Sequence, residues 1–239
     1  MSVTPSKSIK LYLTETEPCS YLDGKRQRMV VVDPMEVLDK DLSTYFSSRG
    51  FRRSGNMTYR PNCNHCSQCI SVRIPVDQFK PSRNQRRVAR KNSHLHYKIR
   101  PVEESEKYFD LYYKYQQARH SDGIMCDPSV AKYKSFIESD IADTKLLVIY
   151  DNEHVVSVSV IDLMHDGLSA VYTFFDPDFS SLSLGTFSIL TTIELCRKHC
   201  FEYVYLGFWI EQSNKMSYKK QFQPLQGYIN DRWQWIKNE

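Results

Sequence analysis

At 239 residues the chain is long enough to bury one substantial core, and 41% hydrophobic with 25% charged residues is the balance of a globular protein, not a disordered or fibrous one. A net charge of +4 is too mild to announce nucleic acid by itself; no apolar run approaches the ~18 residues of a membrane span, and the N-terminal residues lack the apolar stretch of a secretory leader. A cytoplasmic setting is therefore expected, in which the seven cysteines are free thiols or metal ligands, not disulfides.

In chain order, Ile9 to Leu13 reads as a short strand, and Asp23-Gly24 is a turn signal. Arg28 to Val32 reads as a second strand, ended by Asp33-Pro34. A helix is expected from Pro34 to about Arg49, capped by Asp33, with Val37, Leu38, Leu42, Tyr45 and Phe46 on its apolar side and Gly50 as its stop. Phe51 to Arg60 reads as strand and turn. Cys63, Cys66 and Cys69 then follow at C-x₂-C-x₂-C spacing, which lets thiolates converge on one metal ion or cluster. His65 and the distant Cys19 are possible further ligands for a structural zinc or an iron–sulfur cluster. The competing reading is a packed loop of small buried thiols.

Ile70 to Val76 is a strand carrying one charge, Arg73, which either points into a cleft or lies on the outer face. Residues 80–100 concentrate the charge: eight Lys/Arg and no Asp or Glu. With Ser82 as cap, Arg83, Arg86, Arg87, Arg90 and Lys91 lie along one broad side of a helix. Such a stripe suits a phosphate backbone, and it has no acidic neighbours within the segment to pair with. Val102 to His120 is a helix with Tyr108, Leu111, Tyr112, Tyr115 and Ala118 on its apolar side, ending at Arg119 and His120, which either line the cleft or, in the case of His120, cap the helix C-terminus. Another helix spans Pro128 to Ile141.

The second half becomes a meander, with strands at Lys145 to Tyr150, Val155 to Leu163 and Leu168 to Phe175. Asp176-Pro177 breaks the third strand. After a Ser-rich loop comes a helix from Thr186 to about Cys200, with Phe187, Leu190, Ile193 and Leu195 apolar, then a strand from Tyr203 to Trp209 and a basic-aromatic segment from Lys215 to Phe222. This order predicts an α+β fold: a GNAT-like acyltransferase core, with a mostly antiparallel sheet flanked by helices, plus a smaller N-terminal subdomain with a Cys-rich turn. The expected division is 1–79 for that subdomain, 80–100 for a basic helical connector and 101–239 for the transferase domain. A coenzyme-A pyrophosphate normally sits on a glycine-rich loop at the helix N-terminus, and here only Ser183-Leu184-Gly185 is available. With the basic stripe, this favours an acyl donor carried on RNA.

Several motifs occur together: Tyr172 to Pro177 (YTFFDP), Ser183-Leu184-Gly185, Tyr203 to Gly207 (YVYLG) and Lys215 to Lys219 (KMSYK), preceded by Pro18 to Leu22 (PCSYL), Tyr59-Arg60-Pro61 with Cys63 and Cys66, and Ser71-Val72-Arg73. Their order resembles that of the arginyl-tRNA–protein transferase family, over nearly the whole chain, and the short length resembles its bacterial aspartate/glutamate leucyltransferase branch. The resemblance implies transfer of Leu from Leu-tRNA onto proteins with an N-terminal Asp or Glu, marking them for degradation. Longer eukaryotic relatives carry Cys-x₂-Cys near the N-terminus; here Leu22 stands where the second Cys would be.

Aminolysis of an aminoacyl ester needs no cofactor, because the ester is already activated. It needs a neutral α-amine, whose reference pKa of about 8 demands only mild help from a base, a positioned acceptor and donors for the oxyanion. The expected catalytic residues are Tyr172, Asp176 and Tyr218, with backbone N–H groups near Leu184-Gly185. Arg73, Arg119, His120, Lys215 and Lys219 are the expected substrate contacts, with Arg73, Lys215 and Lys219 facing the acidic side chain. The alternatives are a coenzyme-A-dependent N-acetyltransferase and a non-enzymatic RNA-binding protein.

Overall fold

The computed structural model describes residues 8–119 and 128–237. In chain order the elements are β1 (Leu11–Leu13), β2 (Glu17–Pro18), β3 (Arg26–Gln27), β4 (Met29–Val32), α1 (Lys40–Ser48), β5 (Arg52–Ser54), β6 (Met57–Pro61), β7 (Ile70–Pro75), α2 (Arg83–Lys91), β8 (His96–Pro101), α3 (Phe109–Arg119), α4 (Val130–Ile137), β9 (Asp143–Asp151), β10 (His154–Leu163), β11 (Gly167–Phe175), α5 (Leu184–Lys198), β12 (Tyr203–Trp209), β13 (Gln226–Ile229) and β14 (Arg232–Trp235). Short 3₁₀ turns lie at Pro177–Leu182 and Ser217–Gln221. An eight-stranded sheet in the order β14-β13-β7-β12-β11-β10-β9-β8 forms the centre, and a four-stranded sheet, β1-β4-β6-β5, forms an N-terminal layer.

The large sheet is the mixed, mostly antiparallel one expected. Its parallel pair, β11 and β12, is joined by α5, as a crossover connection requires. One face of the sheet packs on α5 through Val72, Ile74, Ile161, Leu168, Ile193, Val204 and Leu206. The other face packs Leu146, Val148, Val158, Val160 and Phe174 against Tyr108 and Tyr112 from the α3 side and Tyr133 and Ile137 of α4. The N-terminal layer has its own small core of Val32, Leu38, Phe46 and Phe51. It is fastened to α4 by the Gly55 N–H donating to the Phe136 carbonyl at 3.2 Å, and to β10 by an Arg53 fork on Asp162 at 2.5 and 2.6 Å.

Several expectations change. The segment from Val102 is 3₁₀ as far as Tyr108 and α-helical only from Phe109, and the helix expected to reach Ile141 ends at Ile137. The first helix starts at Lys40, capped by Asp39, whose carboxylate accepts from the Leu42 N–H at 2.9 Å. Asp33 instead accepts from the Met35 N–H at 2.9 Å, a local turn that leaves Val37 exposed. Residues 80–100 are not helical throughout: α2 ends at Lys91, and β8 follows as an edge strand of the large sheet. The sequence boundary at residue 79 does not separate the two sheets either, because β7 lies inside the large one, between β12 and β13. Strand β7 is buried on both faces, so its pattern gives no sign of which sheet it joins.

Candidate active site

Strands β11 and β12 are paired only at Gly167–Tyr203, Leu168–Val204 and Ser169–Tyr205. Beyond that point they part. Both carry an extra residue where they separate: Val171 in β11, opposite the Val160–Ile161 step, and Leu206 in β12, opposite the Arg73–Val72 step. Bulges increase local twist and end pairing. Gly207, at φ +81°, supplies the backbone conformation that a β-branched or bulky residue resists. At the closed end Gly167 is also required, since a Cβ there would sit 2.0 Å from the Tyr203 carbonyl oxygen. The result is a wedge between Ala170–Phe175 and Leu206–Trp209, at the carboxyl ends of two parallel strands, where α/β sheets place their ligands.

The wedge contains two buried cations. Arg52, from β5, donates through Nη2 to the Ala170 carbonyl at 3.1 Å and the Tyr205 carbonyl at 3.5 Å, the groups left unpaired where the ladder stops. Lys219 donates to the Phe208 carbonyl at 2.5 Å. Both flank Gly207: a Cβ on it would lie in contact with both, 3.5 Å from Arg52 Nε and 3.7 Å from Lys219 Nζ. Arg52 is 8% exposed and Lys219 6%. Burial, reinforced by the Arg52 charge, lowers the Lys219 ammonium to about 7. Burial also brings Arg52 down, to about 10, so it remains cationic at neutral pH.

On the α3 side of the wedge, Tyr172 accepts a hydrogen bond from Gln116 Nε2 at 2.9 Å. Tyr115 packs edge-on against Tyr172 and Phe175, and Arg119 lies over the Phe175 ring. Tyr218 keeps 43% of its surface exposed while its hydroxyl end is enclosed; burial and the nearby Tyr115 push it up to about 12. Burial likewise raises Tyr172, so both hydroxyls are proton donors at neutral pH. Gln116 Oε1 is buried without a partner among the described residues. The helix α5 begins at the mouth of the wedge from Ser183, which has a left-handed backbone and makes no side-chain cap, leaving first-turn N–H groups available.

Helix α2 is fastened to both rims of this opening. Ser82 and Gln85 form a reciprocal capping box at its start, and Gln85 Nε2 also donates to the Gln221 carbonyl at 3.1 Å, on the β12 rim. At its other end Lys91 donates to Ser181 O at 2.9 Å and Asn92 to Leu182 O at 2.8 Å, on the β11 rim. Arg83, Arg86, Arg87 and Arg90 face solvent, and none forms an ion pair among the described residues.

Other expected site residues lie elsewhere. Arg73 does not enter the wedge: it donates to Gln226 Oε1 at 2.8 Å and Tyr205 Oη at 3.4 Å, and stacks between Tyr203 and Trp233. It points toward the closed end of the parallel pair, where Tyr205 donates to Asp166 at 2.7 Å. Asp176 is engaged by Lys114 at 2.6 Å, His154 at 3.2 Å and the Asp178 N–H at 3.0 Å. Burial pushes its carboxyl up, but Lys114, the Asp178 N–H and His154 together hold it below the usual carboxylate range, which makes it a poor proton acceptor. Lys215 is exposed and precedes the 3₁₀ turn holding Lys219, so the two do not share a helical face. His120 lies outside the described residues.

Cys19, Cys63, Cys66 and Cys69 line one small pocket with Tyr21, and Cys63 pairs with Cys66 across a tight turn. Burial and the three neighbouring sulfurs push the Cys69 thiol up to about 12. The donors suit zinc or an iron–sulfur cluster, yet no group of three or more His, Cys, Asp or Glu among the described residues is placed to hold a metal ion. Arg52 is the main residue that sequence reasoning missed; an Arg-Arg pair opening a short strand carries no signal of which guanidinium is paired.

A sheet opened between two parallel strands, with a helix N-terminus at the opening and an antiparallel meander beside it, defines an acyltransferase fold. Residues 17–87 match the family model for the N terminus of arginine-tRNA-protein transferase, and residues 107–229 the model for its C terminus. The chain belongs to that family. An aspartate/glutamate leucyltransferase of Saccharophagus degradans is 40% identical over 232 residues, 97% of this chain and 98% of that one. That of Hahella chejuensis is 39% identical over 227 residues, covering 95% and 97%. Among solved structures, L-PGS from Bacillus licheniformis superposes with a TM-score of 0.48 at 11% identity, over 69% of this chain and 61% of that one.

Proposed function

We infer that this enzyme is an aminoacyl-tRNA–protein transferase that moves Leu from Leu-tRNA to the α-amine of proteins beginning with Asp or Glu. The observation that carries the reading is the attachment of α2 to both rims of the wedge, which puts four solvent-facing arginines, none in an ion pair among the described residues, beside the opening of an acyltransferase cleft. RNA phosphates on those arginines would bring the aminoacylated 3′ end to the wedge. The names of the relatives supply the donor and acceptor.

The acceptor nitrogen attacks the ester carbonyl, the C–N bond forms, and the C–O bond to the terminal ribose breaks. One proton passes from nitrogen to the leaving hydroxyl, and the ester's own free energy drives the step without ATP or a redox partner. The enzyme's contribution is position, an oxyanion environment and proton management. Tyr172, Tyr218 and the first N–H groups of α5 are the available donors. Near pH 7 the attacking α-amine is itself neutral for part of its population, so the step asks no strong base of the wedge.

Incubation with labelled Leu-tRNA and a peptide beginning with Asp tests the reading. Transfer of the label to the peptide is expected. Acetyl transfer from acetyl-coenzyme A, or tRNA binding with no transfer, would overturn it. No helix among the described residues is long and apolar enough to cross a membrane.

A further inference from the structure

Arg52 is a buried cation that forms no ion pair among the described residues; the carboxylate whose charge reaches it, Asp162, is bonded to Arg53. Its Nη2 closes the unfinished ladder, but its Nη1 is buried and has no partner among the described residues. No carboxylate forms an ion pair with Arg52 or Lys219 among those residues, although Arg53, next in the chain, is held by Asp162, Thr144 and the Gly55 carbonyl. A guanidinium taken out of water and left short of one acceptor is costly unless something supplies the missing charge. Two such cations, both at least nine-tenths buried and facing one glycine, make a built anion site.

The geometry points to Arg52, assisted by Lys219, as the group that selects the acceptor by binding the carboxylate of its first side chain. This rests on the reading above, that an α-amine attacks an aminoacyl ester in the wedge. Of the groups that meet at that ester, the acidic side chain is the anion. The first residue of a protein has its carboxyl in a peptide bond, and the aminoacyl ester carries an ammonium. RNA phosphates are bulkier diesters and have the exposed arginines of α2. The side-chain carboxylate is two or three bonds from the Cα that bears the reacting nitrogen, so holding one places the other. An Asn or Gln isostere would leave Arg52 Nη1 without its charged acceptor in a desolvated site, which is how a polar pocket rejects a neutral analogue.

The test compares kcat/KM for peptides beginning with Asp, Glu, Asn and Ala at saturating Leu-tRNA, in the wild type and in Arg52→Gln, Arg52→Lys and Lys219→Met. Tight-binding tRNA measurements and melting curves accompany each variant. Arg52→Gln is expected to lower kcat/KM for the Asp and Glu peptides by about a hundredfold, mainly through KM, because one partner of a buried charge pair is removed. The Asp-to-Asn preference should collapse while tRNA affinity stays unchanged; Arg52→Lys should restore part of it, and Lys219→Met should shift it in the same direction by less. A folded Arg52→Gln protein that keeps the preference overturns the proposal. So does one that loses tRNA affinity with the preference intact, a result that assigns the pair to a phosphate of the tRNA 3′ end. If Arg52→Gln fails to fold, an unchanged preference in both Arg52→Lys and Lys219→Met overturns it. Absence of transfer by the wild type to every peptide would instead defeat the functional reading itself.

Discussion

At the scale of single residues, the structure redistributes roles among charged groups that look alike in the sequence. Arg73 and Arg52 are both arginines on short strands, but Arg73 is saturated by Gln226, Tyr205 and two aromatic rings, and Arg52 is not. Arg73→Ala should therefore lower the melting temperature and reduce transfer to all acceptors alike; a selective loss of Asp peptides in a fully stable protein would contradict this. Asp176 titrates as a structural carboxylate. Its depressed folded pKa stabilises the native state above the unfolded value of about 4, and that contribution disappears as pH falls through the folded pKa. Asp176→Asn should lose stability at neutral pH, show a flatter acid limb and retain kcat, which denaturation at several pH values and steady-state rates would check. Lys219 works in the opposite sense. Its ammonium is at about 7 when folded and at about 10.4 when unfolded. Between those values the unfolded chain binds the extra proton, so stability should rise with pH from about 7 toward 9. Lys219→Met should remove that slope; a slope that survives the substitution would show that Lys219 is not its source.

At the scale of elements, α2 illustrates how a charge stripe becomes a functional device. Ser82, Gln85 and the arginine spacing predict the helix and its exposed basic side, and the capping box is present. What the local pattern does not contain is the pair of attachments, Gln85 to Gln221 and Lys91 with Asn92 to Ser181 and Leu182, that set this helix across the wedge. Replacing Arg86, Arg87 and Arg90 together by Ala should weaken tRNA binding and reduce the magnitude of its log–log salt slope by as much as ~2.5, if each contacts one phosphate. Binding titrations between low and moderate salt would show it, and an unchanged slope would exclude the stripe. Strand β8 and the β13–β14 hairpin were not legible. β8 is an edge strand inside a basic segment: Leu95, Tyr97 and Ile99 alternate with polar residues, but over a short run whose Tyr97 and Ile99 stay exposed, and the hairpin turns through Asn230 and Asp231, both at positive φ, without a glycine.

At the scale of the whole molecule, the wedge exists because two helical layers and the N-terminal sheet hold β11 and β12 apart after three paired positions. Phe174, fully buried between β11 and the α3–α4 layer, anchors that strand to the helices. Phe174→Ala should cost ~3–5 kcal/mol, and chemical denaturation should show the loss alongside reduced transfer. Local sequence is enough to specify the meander, the helix between β11 and β12, the basic helix and the family. These follow from periodicity, capping and turn residues, which act over neighbouring positions, and from motifs in a fixed order. Long-range packing is what brings β7 into the large sheet, takes Arg52 and not Arg73 to the opening, and buries Lys219 where Lys215 is exposed. Each of these depends on contacts between residues distant in the chain (Arg52 with Ala170 and Tyr205, Lys219 with Phe208), and burial is a property of that assembly.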